Sequence, residues 1–208
     1  MNVTAYTSWG CLLVLQPPFY PLVAEQKGAK PSQYGFVFGI IHLAAFIFSP
    51  IFGSYGGKIG SRILLYIGSF SQGVIALLFG FLQFINSTWL FIILSYLLRF
   101  LNGVADAAVW GASLAILLQI FPDKVATMMS YTEACIGLGY ILGPCIGSFL
   151  FELGGFILPF EVMGCICSIA AFGLYFSLPS NVNLDSNITI QSKKSMTLLD
   201  TLKVRICN

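Results

Sequence analysis

Ser49-Pro50-Ile51-Phe52-Gly53-Ser54-Tyr55-Gly56-Gly57-Lys58-Ile59-Gly60 is answered, 94 positions later, by Gly143-Pro144-Cys145-Ile146-Gly147-Ser148-Phe149-Leu150-Phe151-Glu152-Leu153-Gly154. Pro50 pairs with Pro144, Gly53 with Gly147, Ser54 with Ser148 and Gly60 with Gly154. Tyr55/Phe149 and Ile59/Leu153 are conservative pairs, and the register runs on into Ile63-Leu64 and Ile157-Leu158. In a chain with 21 glycines and 57% hydrophobic residues some chance matching is expected, but not this many pairs in one ungapped register. Each copy stands near the end of an apolar segment. With three membrane spans between them, one copy points inward and the other outward. That is an inverted-topology repeat, a plan found among secondary transporters.

The composition around the repeat agrees with a lipid environment. Charged residues make up 9% of the 208 positions, against about 25% in soluble domains, and the mean hydropathy is +0.87. Too few charges are present to clothe a water-facing surface, which excludes the soluble enzymes. A net charge of +2 without a basic run gives no footing for nucleic acid. Six cysteines, Cys11, Cys135, Cys145, Cys165, Cys167 and Cys207, lie in or beside apolar segments and are expected to be small buried residues. Cys165 and Cys167 point about 200° apart on a helix, so they make poor co-ligands. No metal or cofactor is expected. The first apolar stretch lacks a basic leader and carries Pro17-Pro18, unlike a cleavable signal peptide.

About 20 apolar residues span the hydrocarbon as a helix. The candidates are residues 5–20, 33–55, 62–84, 89–120, 126–151 and 156–178, which predicts an all-α membrane protein of six spans arranged as a 3+3 inverted repeat. The first is short, and the fourth is longer than one bilayer crossing. With the amino terminus cytoplasmic, Lys58, Arg62, Lys124, Lys193, Lys194, Lys203 and Arg205 fall on one side, and Lys27 and Lys30 on the other. That bias predicts both ends cytoplasmic. Asn86-Ser87-Thr88 then lies outside as a sequon, on a loop too short to favour its use. Residues 1–179 form the expected bundle. Residues 180–208 form a cytoplasmic linker, in which Met196, Leu199, Leu202 and Ile206 share one face of an amphipathic surface helix.

Ionisable groups in a membrane are costly and usually functional. On the fourth span Arg99, Asn102, Gly103, Asp106 and Trp110 share a face, and Arg99 and Asp106 stand two turns, or about 10.5 Å, apart. They suggest a lined cavity or, more simply, a polar pair steadying the bundle. On the fifth span Glu133, Gly137, Tyr140, Pro144 and Gly147 form a stripe, with Glu133 expected to be buried at a depth like that of Asp106. Such a carboxyl group could exchange a proton or attract a cation; otherwise it caps a helix or pairs with Arg99. His42, the only histidine, lies on a face with Gly35, Gly39, Phe46, Ser49 and Gly53, as a proton shuttle or a helix-to-helix hydrogen bond. Gly139, Gly143 and Gly147 would admit a neighbouring backbone closely, while Pro144 withdraws a backbone donor.

These residues resemble the major facilitator superfamily, whose six-span halves are 3+3 inverted repeats. Gly53-Ser54-Tyr55-Gly56-Gly57-Lys58-Ile59-Gly60-Ser61-Arg62 is similar to its signature between the second and third spans, with Gly57 where that signature has the acid of a cytoplasmic latch. Arg99-Phe100-Leu101-Asn102-Gly103 is similar to the fourth-span signature linked to proton coupling, and Gly139-x-x-x-Gly143-Pro144-x-x-Gly147 to the fifth-span signature of antiporters. Pro18-Phe19-Tyr20-Pro21, the segment from Phe121 to Thr127 and the fifth span look most like solute carrier 18 amine transporters, nearest the vesicular polyamine branch. Monoamine and acetylcholine members carry an acid about where Trp9 stands.

The resemblance implies one half of a proton-coupled organic-cation antiporter of secretory or synaptic-type vesicles, or of the plasma membrane. Its partners would be the lipid bilayer, a small organic cation such as a polyamine, a proton and a carboxy-terminal six-helix half. Arg99, Asp106, Glu133 and His42 are then the candidates for substrate or proton coupling. Gly53, Lys58, Gly60, Arg62, Gly139, Gly143, Pro144 and Gly147 are the conformational motifs. The rival expectation is a truncated six-helix protein that does not transport and either is unstable or associates with a full-length partner.

Overall fold

A computed structural model describes residues 3–177, and every element in it is helical. The helices are α1 (Val3–Leu15), α2 (Tyr20–Gln26), α3 (Pro31–Ile59), α4 (Ser61–Gly80), α5 (Thr88–Ile120), α6 (Val125–Gly154) and α7 (Ile157–Ser177), with short 3-10 turns at Phe81–Phe84 and Pro122–Lys124. The expected linker helix after residue 180 and the side chain of Lys58 lie outside what is described.

Among the described residues five helical segments are long and apolar enough to cross a membrane: Pro31–Ser54, Ser61–Phe84, Thr88–Ile120, Pro122–Gly154 and Ile157–Leu174. The expected first span is instead broken in two. Pro17 and Pro18 lack N–H donors and cannot continue the ladder of α1. The chain bends over residues 16–19 and restarts as α2 at Tyr20. At 33 residues, α5 is about 50 Å long, well beyond a hydrocarbon core of about 30 Å.

Both copies of the repeated motif have the same local form. Pro50 lies inside α3 and Pro144 inside α6, and each helix ends at a glycine corner. Gly60 (φ +92°) separates α3 from α4, and Gly155 (φ +69°) separates α6 from α7. Side-chain-bearing residues rarely adopt these angles, which is why glycine stands at both corners.

Packing is pairwise: α3 lies on α5, α1 on α6, and α4 on both α5 and α7. Close approaches at glycine make two of these contacts reciprocal. A methyl group at Gly103 of α5 would strike the Ile41 carbonyl of α3, and one at Gly10 of α1 would strike the Ile136 carbonyl of α6. Gly139 and Gly143 likewise face the α1 backbone from Thr7 to Cys11, while Gly147 faces the Leu15 and Phe19 side chains. The glycine stripe of α6 is thus its α1-facing side. Cys145 falls on the opposite side and is exposed, as is Cys165, whereas Cys11, Cys135 and Cys167 are buried. The expectation that all the cysteines are buried fails at those two positions because α6 and α7 are each covered on one side only.

At one end of the bundle an aromatic cluster joins α2, α4, α5 and α7. Tyr20 stacks on Phe91 with ring centroids 5.5 Å apart, and Phe79 packs on Phe160 at 5.4 Å. Lys27 closes this end. Its Nζ donates to the carbonyls of Gln83 (2.9 Å) and Ile85, and it lies 5.3 Å from the Phe91 ring centroid. The Thr88 hydroxyl donates back to the Lys27 carbonyl. Charged-group hydrogen bonds contribute about 1.5–3 kcal/mol each. Lys27→Met is therefore expected to lower the thermal midpoint of the purified chain in detergent by several degrees. An unchanged midpoint would mean that this cap is cosmetic.

Candidate functional site

Two polar groupings sit between the helices. The first centres on Asp106, which α5 presents toward α1 and α4. Trp9 Nε1 donates to Asp106 Oδ1 at 3.1 Å, and Gln72 Nε2 donates to the same oxygen at 3.3 Å. All three side chains are buried. The Trp9 indole also packs edge-on against Trp110, one turn from Asp106, with centroids 5.5 Å apart. One turn in the other direction is Asn102, also buried. A small void of about 10 Å³ is lined by Trp9, Gln16, Gln72 and Asn102, among others, and Gln16 Oε1 is buried without a hydrogen-bond partner.

The second grouping lines an open cavity of about 300 Å³ between α1, α3, α5 and α6, where His42, Arg99 and Tyr140 meet Phe38, Ile41 and Pro17. Arg99 is 2% exposed. Its guanidinium carbon lies 5.8 Å from the Phe38 ring centroid and 5.6 Å from that of Phe79, and its Nε has no hydrogen-bond partner. Two aromatic faces supply part of what water would give the charge.

The structure therefore brings Arg99 and His42 to one cavity and sends Asp106 to another set of partners. Arg99 and Asp106 share the helix face read from the sequence, yet Asp106 accepts from Trp9 and Gln72, and Arg99 lies over aromatic rings. Glu133 was expected to be buried and is exposed. The reason is again that α1 covers only the glycine side of α6, with Glu133 on the neighbouring stripe. Tyr140, two turns further on that stripe, does line the cavity. Gly35, Gly39 and Gly53 border open space on α3, and Arg62 is half-buried in the first turn of α4.

Gln72 is the residue that sequence reasoning missed. A glutamine in the middle of an apolar span was the available signal. The Tyr6 hydroxyl, which donates to Ser113 Oγ at 3.2 Å between α1 and α5, was likewise not singled out.

Helices long and apolar enough to cross a membrane, with Gln72, Arg99 and Asp106 buried among them, define a helical integral membrane protein. The chain belongs to the Major Facilitator Superfamily, whose family profile matches residues 1–203. It is similar to the MFS-type transporter SLC18B1 of Homo sapiens, with 39% identity over 149 residues, which is 72% of this chain and 33% of that protein. The Mus musculus protein of the same name is 34% identical over 173 residues, 82% of this chain and 38% of its own length. The multi-drug resistance efflux pump PmrA of Streptococcus pneumoniae serotype 4 is 29% identical over 167 residues, covering 78% of this chain and 40% of the pump. The chain thus matches between a third and two-fifths of the length of these relatives.

Proposed function

We propose that this chain forms the amino-terminal half, six spans in a 3+3 inverted repeat, of a secondary transporter exchanging protons for small organic cations such as polyamines. The observation that carries the reading is the cavity at Arg99, His42 and Tyr140, which opens between the repeat-related helices of a Major Facilitator Superfamily chain. The reciprocal seating of Gly10 on Ile136 and Gly103 on Ile41 supports the inverted repeat. In this reading the broken unit α1–α2 is the first span. The names of the relatives, a transporter and an efflux pump, support transport as the activity.

Ionisable side chains of α3, α5 and α6 take the coupling roles. Asp106 and Glu133 are the carboxylates that bind cation or proton, and Arg99 and His42 set the field around them. The protein sits in a secretory or synaptic-type vesicle membrane or in the plasma membrane, and the lysine and arginine bias places both ends of the chain in the cytoplasm. A second six-helix bundle completes the path, since the cavity of one bundle is open on the exposed faces of α3 and α6. Those faces also suit the second reading, a six-helix protein that does not transport and associates with a full-length partner.

Proteoliposomes with an acidic interior test both. A polypeptide carrying a second bundle is expected to accumulate labelled spermidine until a protonophore collapses the gradient, and the 208-residue chain alone to accumulate none. Gradient-driven uptake by the 208-residue chain overturns the two-bundle reading. Uptake by the larger protein that ignores the protonophore overturns proton exchange. Within the larger protein, Glu133→Gln is expected to cut coupled uptake at least about tenfold, and an unaltered pH dependence would remove Glu133 from the mechanism.

A further inference from the structure

The break between α1 and α2 leaves backbone acceptors beside the cavity at Arg99. In an α-helix each carbonyl accepts from the N–H four residues further on. For Leu13 and Val14 those residues are Pro17 and Pro18, which have no N–H. The next donors along the chain bypass them, because the Phe19 and Tyr20 N–H groups both turn to the Gln16 carbonyl, at 3.2 and 3.0 Å. The Leu13 and Val14 carbonyls are therefore without α-helical donors at the end of α1, where the helix dipole is negative. Helix carbonyls point toward the carboxy-terminal end, here toward Pro17. Leu13, Val14 and Pro17 all line the cavity of about 300 Å³.

The same cavity holds a charge of the opposite kind. Arg99 is buried and its Nε has no hydrogen-bond partner. The carboxyl group on its own helix face, Asp106, is taken up by Trp9 and Gln72. Phe38 and Phe79 lie against the guanidinium but bring no negative charge. One part of the cavity thus offers hydrogen-bond acceptors, and another offers donors with a fixed positive charge. A bare organic cation gains from the carbonyls and is repelled by Arg99, since like charges repel more strongly in a poorly hydrated site than in water. A carboxylate on the same solute turns that repulsion into attraction and can accept two parallel hydrogen bonds from the guanidinium.

We propose that this cavity binds a small solute bearing both an ammonium group and a carboxylate, the ammonium donating to the Leu13 and Val14 carbonyls and the carboxylate accepting from Arg99. The assignment rests on the reading of the cavity as the solute site and narrows the solute. Among small organic cations, a diamino acid such as ornithine is preferred over putrescine, which is ornithine without its carboxyl group. A volume of about 300 Å³ stands at the lower end of ligand sites, about 300–1,000 Å³, and suits a solute of this size.

Equilibrium dialysis of the purified 208-residue chain in detergent against labelled ornithine tests the assignment without a proton gradient. Ornithine is expected to be retained, and displacing half of it should take about tenfold more unlabelled putrescine than unlabelled ornithine. Arg99→Gln should weaken ornithine binding about tenfold. Pro17→Ala combined with Pro18→Ala returns N–H donors to the Leu13 and Val14 carbonyls and should weaken it as well. Circular dichroism verifies that each variant remains helical. Parity of the two competitors on the unaltered chain overturns the proposal, as does ornithine binding that a folded Arg99→Gln variant leaves unchanged, or the absence of ornithine binding altogether. Should a variant fail to fold, the competition on the unaltered chain gives the result by itself. Loss of proton-driven uptake in proteoliposomes would count against the exchange reading and leave the dialysis result standing.

Discussion

Gly103→Leu is expected to prevent the chain from folding into a stable bundle. A single methyl group there already collides with the Ile41 carbonyl and lies 2.8 Å from the Ala44 side chain. The obstacle is helix backbone, which cannot step aside as a flexible side chain can. Overpacking costs about 1–3 kcal/mol even where side chains can adjust, and this contact joins α3 to the helix on which α4 also rests. The measurable outcome is loss of monodisperse protein after extraction in mild detergent. Gly53→Leu serves as the control, since Gly53 borders open space and its substitution should leave the yield near that of the unaltered chain. Equal yields would mean that α3 and α5 do not approach as closely as described.

Asp106→Leu is the second large change expected. It leaves the Trp9 indole N–H and the Gln72 amide without their acceptor in a buried site. A buried donor stripped of its partner costs about 1–3 kcal/mol, so the two together should lower the thermal midpoint clearly. Asp106→Asn retains an acceptor oxygen and should cost less. A double-mutant cycle pairing Trp9→Phe with Asp106→Asn is expected to show coupling of about 1 kcal/mol or more. The cycle of Arg99→Ala with Asp106→Asn should show less, because Arg99 lies over Phe38 and Phe79 instead of bonding to Asp106. Larger coupling in the Arg99 cycle would overturn that assignment of partners. In a two-bundle transporter Asp106→Asn should also reduce proton-driven uptake at least about tenfold, and unchanged uptake would confine Asp106 to a structural role.

Much of this architecture is legible without coordinates. Long apolar runs interrupted by Gly60, Asn86-Ser87, Pro122 and Gly155 mark five of the spans, and glycine and proline end helices for reasons local to their own backbone. The first span misled because Pro17-Pro18 divides it, and the two short helices together are not one continuous rod. The glycine stripe of α6 correctly announced a close backbone approach, and its 3.6-residue period was enough to place Gly139, Gly143 and Gly147 on one face. The same period placed Glu133 on the adjacent stripe, but not whether that stripe is covered.

The sequence by itself determined the solvent, the helical class, the paired proline-glycine motifs and which residues share a face of each helix. These properties follow from hydropathy, from backbone chemistry and from a fixed helical period. Only the tertiary structure decided which faces meet. Trp9 reaches Asp106 across 97 positions and Gln72 reaches it across 34. α5 sets Arg99 at the level of the cavity with His42 and Tyr140, and Asp106, two turns along the same face, at the level of Trp9 and Gln72. A helix's periodicity fixes the angles between its own side chains. It does not fix the angle at which the helix sits against its neighbours, which backbone contacts such as Gly103 on Ile41 and Gly10 on Ile136 set.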